Sequence, residues 1–398
     1  MRCFWLVLAL LAGAGLARLS TLEPRPTPMD APAASFSSAR AMTDVRVIAA
    51  RPHPVGSAEN RQVRDYLAAR MRSLGLETRL QRDTGVVVRE GGTLVLGADV
   101  ENLIGVLPGR DRAAPALALM AHYDSAPRSP GAGDDAAGVA VALEVVRAIE
   151  AKGVPARDIV VLLTDGEEPG MLGAQAFFER DPLAAHIGLV VNLEARGGAG
   201  RAIMFETSRD NGDLIAALRK SAVAPTANSL ANAVYQNMPN GTDFSTAAQA
   251  GKAGFNFAFL GRQFDYHSPT ATPANLHEGS VQSMGQEVLA LADEIAFTRS
   301  LPARAPDVAY SQTFGPVIVA YPLWAGWIVL AVVAGLLAVA IVRMRRRAAI
   351  RWQDSALGAA ASVAVIAFAA GLLWLARLAT GTPEGFVWQL PLLARFPL

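Results

Sequence analysis

Met120-Ala-His122-Tyr-Asp124, followed by Gly133-Asp134-Asp135-Ala-Ala-Gly138, is the stretch whose reading decides the fold. It opens with an uninterrupted apolar run, Ala116 to Met120, of the kind that forms a strand buried on both faces in a parallel sheet. His122 and Asp124 stand where that strand should stop. After a Pro- and Gly-rich loop come two adjacent aspartates. The residues from Gly138 to Ile149 then predict a helix with apolar residues on most faces. Open α/β sheets place their sites at the carboxyl ends of the strands, so this one segment suggests both a fold and a site.

The design recurs. Asp158 to Thr164 predicts a strand running into Asp165-Gly-Glu167-Glu168, and Ile187 to Glu194 predicts another ending in a carboxylate. Phe255 to Leu260 predicts a fourth, followed by Asp265-Tyr266-His267-Ser-Pro. Four strand ends therefore deliver two histidines and several carboxylates. Mixed imidazole and carboxylate donors suit zinc, and two zinc ions sharing a carboxylate suit hydrolysis.

In His-Tyr-Asp-Ser at 122–125, Asp-Asp-Ala-Ala-Gly at 134–138, Asp-Gly-Glu-Glu at 165–168, Asn-Leu-Glu-Ala at 192–195 and Tyr-His-Ser-Pro at 266–269, the chain resembles the M28 family of co-catalytic zinc exopeptidases, particularly its membrane-anchored branch. His-Pro-Val-Gly-Ser at 53–57 is similar to that family's opening segment, and the resemblance covers roughly residues 45–298. Each motif alone is weak; five in the family's order, each after a predicted strand, are specific.

The resemblance implies two zinc ions per chain, one held by His122 and Glu194 and the other by Glu168 and His267, with Asp134 bridging them. It implies that Asp124 orients His122 through its far ring nitrogen. Glu167 would be the general base that takes a proton from the attacking water. The implied activity is aminopeptidase cleavage of a peptide substrate. Two positions depart from the family pattern. Ala271 stands where many members have an aspartate after the final histidine, so any support that residue gives the histidine is absent here or comes from elsewhere, with Asp265 a candidate. Glu194 stands where soluble members usually have Asp, and in this the chain resembles the membrane-bound branch.

The 398 residues allow one domain of about 250 residues plus further segments. Charged residues make up 18% and hydrophobic ones 52%, which is apolar for a soluble enzyme and points to membrane segments. A net charge of +1 gives no reason to expect nucleic acid as a partner. The one cysteine, Cys3, lies in the leader, so no disulfide framework or thiolate metal site is expected.

Residues 1–19 read as a signal anchor or signal peptide, and 20–41, with four prolines, as an extended linker. The peptidase domain is expected over 42–300. Val63, Leu67 and Met71 share a helical face, while Glu77–Gln81 and Asp99–Leu107 read as strands. Later helices are expected over Asn211–Ala222 and Asn275–Thr298. The alternation of strand and helix gives an α/β class with a mostly parallel mixed sheet flanked by helices, plus transmembrane helices. A linker is expected over 301–316 and uncharged spans over 317–342 and 356–376. Between them lies a basic loop, 343–355, with Arg343-Met-Arg-Arg-Arg347, and a tail follows over 377–398. Positive loops stay cytoplasmic, so the domain is expected on the non-cytoplasmic, periplasmic side of an inner or plasma membrane, with the lipid bilayer as a partner.

Plainer readings apply to several residues. Asp135 reads as a cap for the helix beginning near it, Asp165 as a turn residue, and His53-Pro-Val-Gly-Ser as a turn before the first helix. His186 and His277 read as ordinary surface or hydrogen-bonded histidines. Asp243 reads equally as a helix cap or a cleft residue, and Tyr235, Asn237 and Phe244 are candidates for the pocket lining. Among rivals, the M20 carboxypeptidases and deacylases usually insert a lid domain before the last histidine. Here 72 residues separate Glu194 from His267, and the predicted strands and helices fill them. Glutaminyl cyclases share the fold with one zinc, and an inactive binding ectodomain would have lost ligands that this chain keeps.

Overall fold

The computed structural model describes residues 2–89, 94–238, 240–313, 315, 317–347 and 351–379. Its helices are α1 (Arg2–Thr21), α2 (Ser38–Ile48), α3 (Ala58–Ser73), α4 (Gly138–Glu150), α5 (Leu172–Arg180), α6 (Leu183–His186), α7 (Gly212–Ser221), α8 (Ser229–Gln236), α9 (Asp243–Gln249), α10 (Glu278–Phe297), α11 (Leu323–Arg347) and α12 (Trp352–Ala379). Its strands are β1 (Glu77–Arg89), β2 (Leu94–Leu107), β3 (Ala116–His122), β4 (Ile159–Thr164), β5 (Ile187–Ala195), β6 (Ile203–Thr207), β7 (Ala253–Phe259), β8 (Val308–Gln312) and β9 (Ile318–Pro322). The first compact unit is Met1–Leu323 and the second Trp324–Leu398.

Seven strands form one mixed sheet in the order β1-β2-β4-β3-β5-β7-β6. The four central strands β4, β3, β5 and β7 run parallel, while β1, β2 and β6 add antiparallel edges. β3 and β4 are buried at every residue because helices cover both faces, which is why their sequences are apolar without alternation. Leu117, Leu119 and Ala121 face the layer of α2, α3, α4 and α10; Ala118 and Met120 face Phe177 of α5 and Phe244 and Ala247 of α9. Parallel order brings all four central carboxyl ends to one edge, and that edge carries the predicted motifs.

Several boundaries differ from the sequence reading. β1 and β2 run 13 and 14 residues rather than the short segments expected, pairing from Glu77–Val106 out to Arg89–Leu94. Their outer halves alternate polar and apolar residues weakly, so periodicity did not mark them. The segment 20–41 is not a free linker. Phe36 is buried against Gly285, where an added Cβ would meet its ring. Glu144 accepts from the Ser37 amide at 3.1 Å and pairs with Arg40 and Arg147 at 2.8 and 2.6 Å. Gln282 Oε1 accepts from both Thr27 N and Ser38 N. These partners lie more than 100 residues away along the chain, so no local pattern signals them.

The expected linker 301–316 contains β8, and the expected membrane span from 317 begins as β9, which pairs antiparallel with β8. Ile318 and Ala320 pack into the domain core. The second unit holds α11 and α12, both long and apolar enough to cross a bilayer. The basic run 343–347 forms the end of α11 rather than a loop, α12 extends to Ala379, and 380–398 lies outside the described residues.

Candidate active site

Each candidate sits at the carboxyl edge of the sheet. His122 ends β3, Asp124 lies two residues on, and Asp134 lies in the turn before α4. Glu167 and Glu168 follow β4, Glu194 is near the end of β5, and His267 follows the short 3-10 turn Gln263–Asp265 after β7. The turn at 131–137 is tight. Gly131 has φ +70°, and an added Cβ would lie 2.6 Å from the Asp134 carbonyl oxygen. The Asp134–Asp135 peptide is cis.

The expected metal-ligating residues fall into two groups sharing one member: His122, Asp134 and Glu194; and Asp134, Glu168 and His267. Asp134 lies between the two imidazoles, with His122 Nε2 3.1 Å from Oδ1 and His267 Nε2 3.0 Å from Oδ2. Glu194 Oε2 is 4.0 Å from His122 Nε2, and Glu168 Oε2 is 2.9 Å from His267 Nε2. Two donors each about 2.1 Å from a zinc ion lie at most about 4.2 Å apart. All four separations meet that limit, and Glu168 Oε1 is buried with no hydrogen-bond partner among the described residues. The donor set therefore fits zinc.

Charge supports the same reading. Burial alone would lower His122 and His267, but Asp134 with Asp124 and Glu168 outweighs it. His122 is held well above its ordinary value and His267 is raised to about 10. Burial works against ionised Asp134, yet the two imidazoles hold it below the usual carboxylate range. Glu167 and Glu194 are pushed well up, first by burial and then by neighbouring carboxylates.

Asp124 is fully buried. Its carboxylate accepts from the Glu167 amide at 3.0 Å and the Glu168 amide at 3.3 Å, and lies 3.4 Å from His122 Nδ1. The shorter contact of that ring nitrogen, 2.9 Å, is to the Asp124 carbonyl oxygen. Asp124 thus braces the Glu167–Glu168 loop as much as it orients His122. Asp135 accepts from the Gly138 amide at 3.1 Å, as expected of a helix cap. Asp265 does not support His267: its carboxylate pairs with Arg262 at 2.8 Å and accepts from Thr270 at 2.6 Å. His267, at φ +52°, instead stacks on Tyr266 with ring centroids 3.7 Å apart, and Arg196 covers the Tyr266 ring at 5.2 Å.

The remaining candidates divide. Asp243 is buried with its Oδ2 accepting from Thr164; Thr242, not Asp243, caps α9. Phe244 belongs to the core rather than to a pocket wall, and Asn237 is exposed at the end of α8. Tyr235 is buried edge-on against Phe205, and burial first, then the charges of Glu206 and Glu194, raise its hydroxyl. Ser57 caps α3 as the turn reading expects, but His53 is buried behind the site, with its amide bonded to Ser125 Oγ at 2.8 Å. Asp165 is a brace rather than a simple turn residue, accepting from Asn60 and from the Glu101 amide. The sequence reading also missed a polar chain across the sheet. Asn192 donates to Asn256 at 3.0 Å, and Asn256 donates to Glu206 at 3.0 Å. An asparagine inside each of two apolar strands was its one visible signal.

The helix-flanked mixed sheet thus carries two His–carboxylate groups that share one aspartate, a donor set of the class that binds zinc. Residues 102–292 match the sequence profile of peptidase family M28, so the chain carries an M28 peptidase domain. It is 30% identical over 302 residues to endoplasmic reticulum metallopeptidase 1 of Mus musculus, covering 71% of this chain and 34% of that protein. It is 29% identical over 298 residues to a vacuolar membrane protease of Eremothecium gossypii, covering 70% of this chain and 29% of that one. The chain thus spans about a third of the length of the curated relatives it matches. Its fold is similar to that of a zinc aminopeptidase from Bacillus subtilis, with a TM-score of 0.53 at 15% identity, over 69% of this chain and 98% of that structure.

Proposed function

We propose that the chain is a membrane-anchored aminopeptidase that uses two zinc ions, with Asp134 shared between them. The observation that carries this reading is the Asp134 carboxylate between two imidazoles, 3.1 and 3.0 Å away. Zinc in such a site supplies Lewis acidity, lowering the pKa of a water molecule and stabilising charge that develops on a carbonyl oxygen. His122 and Glu194 would hold one ion, and Glu168 and His267 the other.

Glu167 lies outside both groups yet beside them, and its raised proton affinity suits a general base. In this reading Glu167 takes the proton of the attacking water and passes it to the leaving amine. Asp124 fixes the two backbone amides that set where Glu167 points. Seven carboxyl groups line the site, those of Asp124, Asp134, Asp135, Glu167, Glu168, Glu194 and Asp243, and no Lys or Arg pairs with any of them among the described residues. A lining of acceptors without a paired Lys or Arg favours a substrate presenting a free ammonium end. Arg196 over Tyr266 is the observation favouring a carboxylate end instead. The test compares aminoacyl anilides with their N-acetyl forms and with N-blocked dipeptides. Cleavage of the free-amine forms alone supports the proposal, and cleavage of N-blocked dipeptides with a free carboxyl end overturns it.

Helices α11 and α12 would each cross the bilayer, with Arg343–Arg347 cytoplasmic and the peptidase domain on the opposite, periplasmic side. Reporter fusions after Thr298 should score outside and after Arg351 inside. The reverse pattern would overturn the orientation.

A further inference from the structure

Two of the chain's uncharged stretches, 221–242 and 308–342, contribute elements to the peptidase domain. The second includes α11, but its first part, β8 and β9, is folded into the peptidase domain, as is α8 from the first stretch. In a chain with 18% charged residues, water-facing segments of that length would ordinarily carry several charges. The two segments also adjoin. Asn228 bridges to Ser311, and the Tyr310 amide donates to Ser229 Oγ at 2.7 Å.

Their outer faces are apolar. Along β9 the inward residues Ile318 and Ala320 pack into the core, while Val317, Val319 and Tyr321 point outward at 53, 45 and 37% exposure. On α8, Tyr235 is buried, while Leu230 and Val234, one turn apart, are 72 and 52% exposed. A strand apolar on both faces, beside a helix that exposes Leu230, Ala233 and Val234 and carries its exposed polar groups, Gln236 and Asn237, only at its C-terminal end, marks a surface that something covers.

We propose that this surface, the outer faces of β9 and α8, rests in the lipid interface of the bilayer. The proposal rests on the reading that α11 spans the membrane, and chain continuity selects lipid as the occupant. β9 ends at Pro322 and α11 starts at Leu323 with nothing between. An extended chain advances at most about 3.6 Å per residue, so Val319 lies within about 14 Å of Leu323. A spanning helix starts at the interface, where Tyr and Trp concentrate, and Tyr321, Trp324 and Trp327 occupy that junction. The lack of charge on both segments suits partial insertion among acyl chains and headgroups.

The test uses the full-length chain carrying Cys3→Ser, with single cysteines at Leu230→Cys, Val319→Cys, Leu336→Cys in α11 and Thr84→Cys on the opposite sheet edge. Each is labelled with an environment-sensitive fluorophore and reconstituted in phosphatidylcholine–phosphatidylglycerol vesicles. Brominated lipid should quench the labels at 230, 319 and 336 and spare 84, while iodide should quench 84 alone. If 336 is quenched by lipid but 230 and 319 by iodide, the span stands and the docking surface is wrong. Labels at 230 and 319 shielded from both quenchers would mean that protein, such as a second copy, covers the face, and would overturn the proposal. If lipid fails to quench 336, the spanning reading falls and takes this inference with it.

Discussion

Asp124→Asn tests how the site is held together. The Asp124 carboxylate faces three donors: the Glu167 amide at 3.0 Å, the Glu168 amide at 3.3 Å and His122 Nδ1 at 3.4 Å. An asparagine offers one acceptor oxygen and turns an NH2 group toward at least one of these donors. A hydrogen bond to a charged group contributes about 1.5–3 kcal/mol, and a buried donor left unpaired costs about 1–3 kcal/mol. Two of the three contacts are long, so one strong loss and a partial one are expected, about 2–4 kcal/mol together. For a domain of this size that lowers Tm by roughly 5–10 °C. Residues that orient metal ligands typically change metal affinity by about 10–100-fold when replaced. The assays are thermal unfolding with and without chelator, and zinc competition against a chromogenic chelator. The Tm loss should persist after chelation, because the two amide contacts do not need metal. An Asn variant with unchanged Tm and unchanged zinc affinity would refute the bracing role.

Glu167→Gln should keep both zinc ions and the fold while lowering kcat at least about a hundredfold, the lower end of what a general base contributes; near-normal turnover or a lost zinc ion would mean that its role is misassigned. Glu206 is pushed from 4.5 up to about 7 by burial. The folded protein therefore binds more protons than the unfolded chain between those values, and stability falls as pH rises through that window. Glu206→Gln should remove up to about 3 kcal/mol of this penalty, so its Tm should gain on the wild type between pH 5 and 8; parallel Tm curves would contradict the assignment. Phe36→Ala empties the site against Gly285 and should cost about 3–4 kcal/mol, measured by denaturant unfolding. An effect under about 1 kcal/mol would mean that the 23–41 segment is as loose as its composition suggests.

The sheet's central strands were legible because burial on both faces leaves a pure apolar signature, as in Ala116–Met120 and Ile159–Leu163. Each of these strands hands a polar motif to the same edge, so the residues of the site could be picked out together. What stayed hidden depends on which partner a polar or apolar side chain takes in the folded chain, near or far, and periodicity does not mark that choice. Glu144 gathers Ser37, Arg40 and Arg147, Asp265 turns to Arg262 and Thr270 rather than to His267, and β9 pairs with β8 instead of opening a membrane helix. An uncharged run such as 317–342 signals avoidance of water, and that signal is the same for a strand and for a span.

The zinc content of the purified full-length chain tests the account's central claim most directly. Inductively coupled plasma mass spectrometry after dialysis should find two zinc ions per wild-type chain. It should find one in Glu194→Ala and in Glu168→Ala, and nearly none in Asp134→Ala. One zinc ion per wild-type chain, or an Asp134→Ala variant that keeps both, would contradict a site built on a shared aspartate.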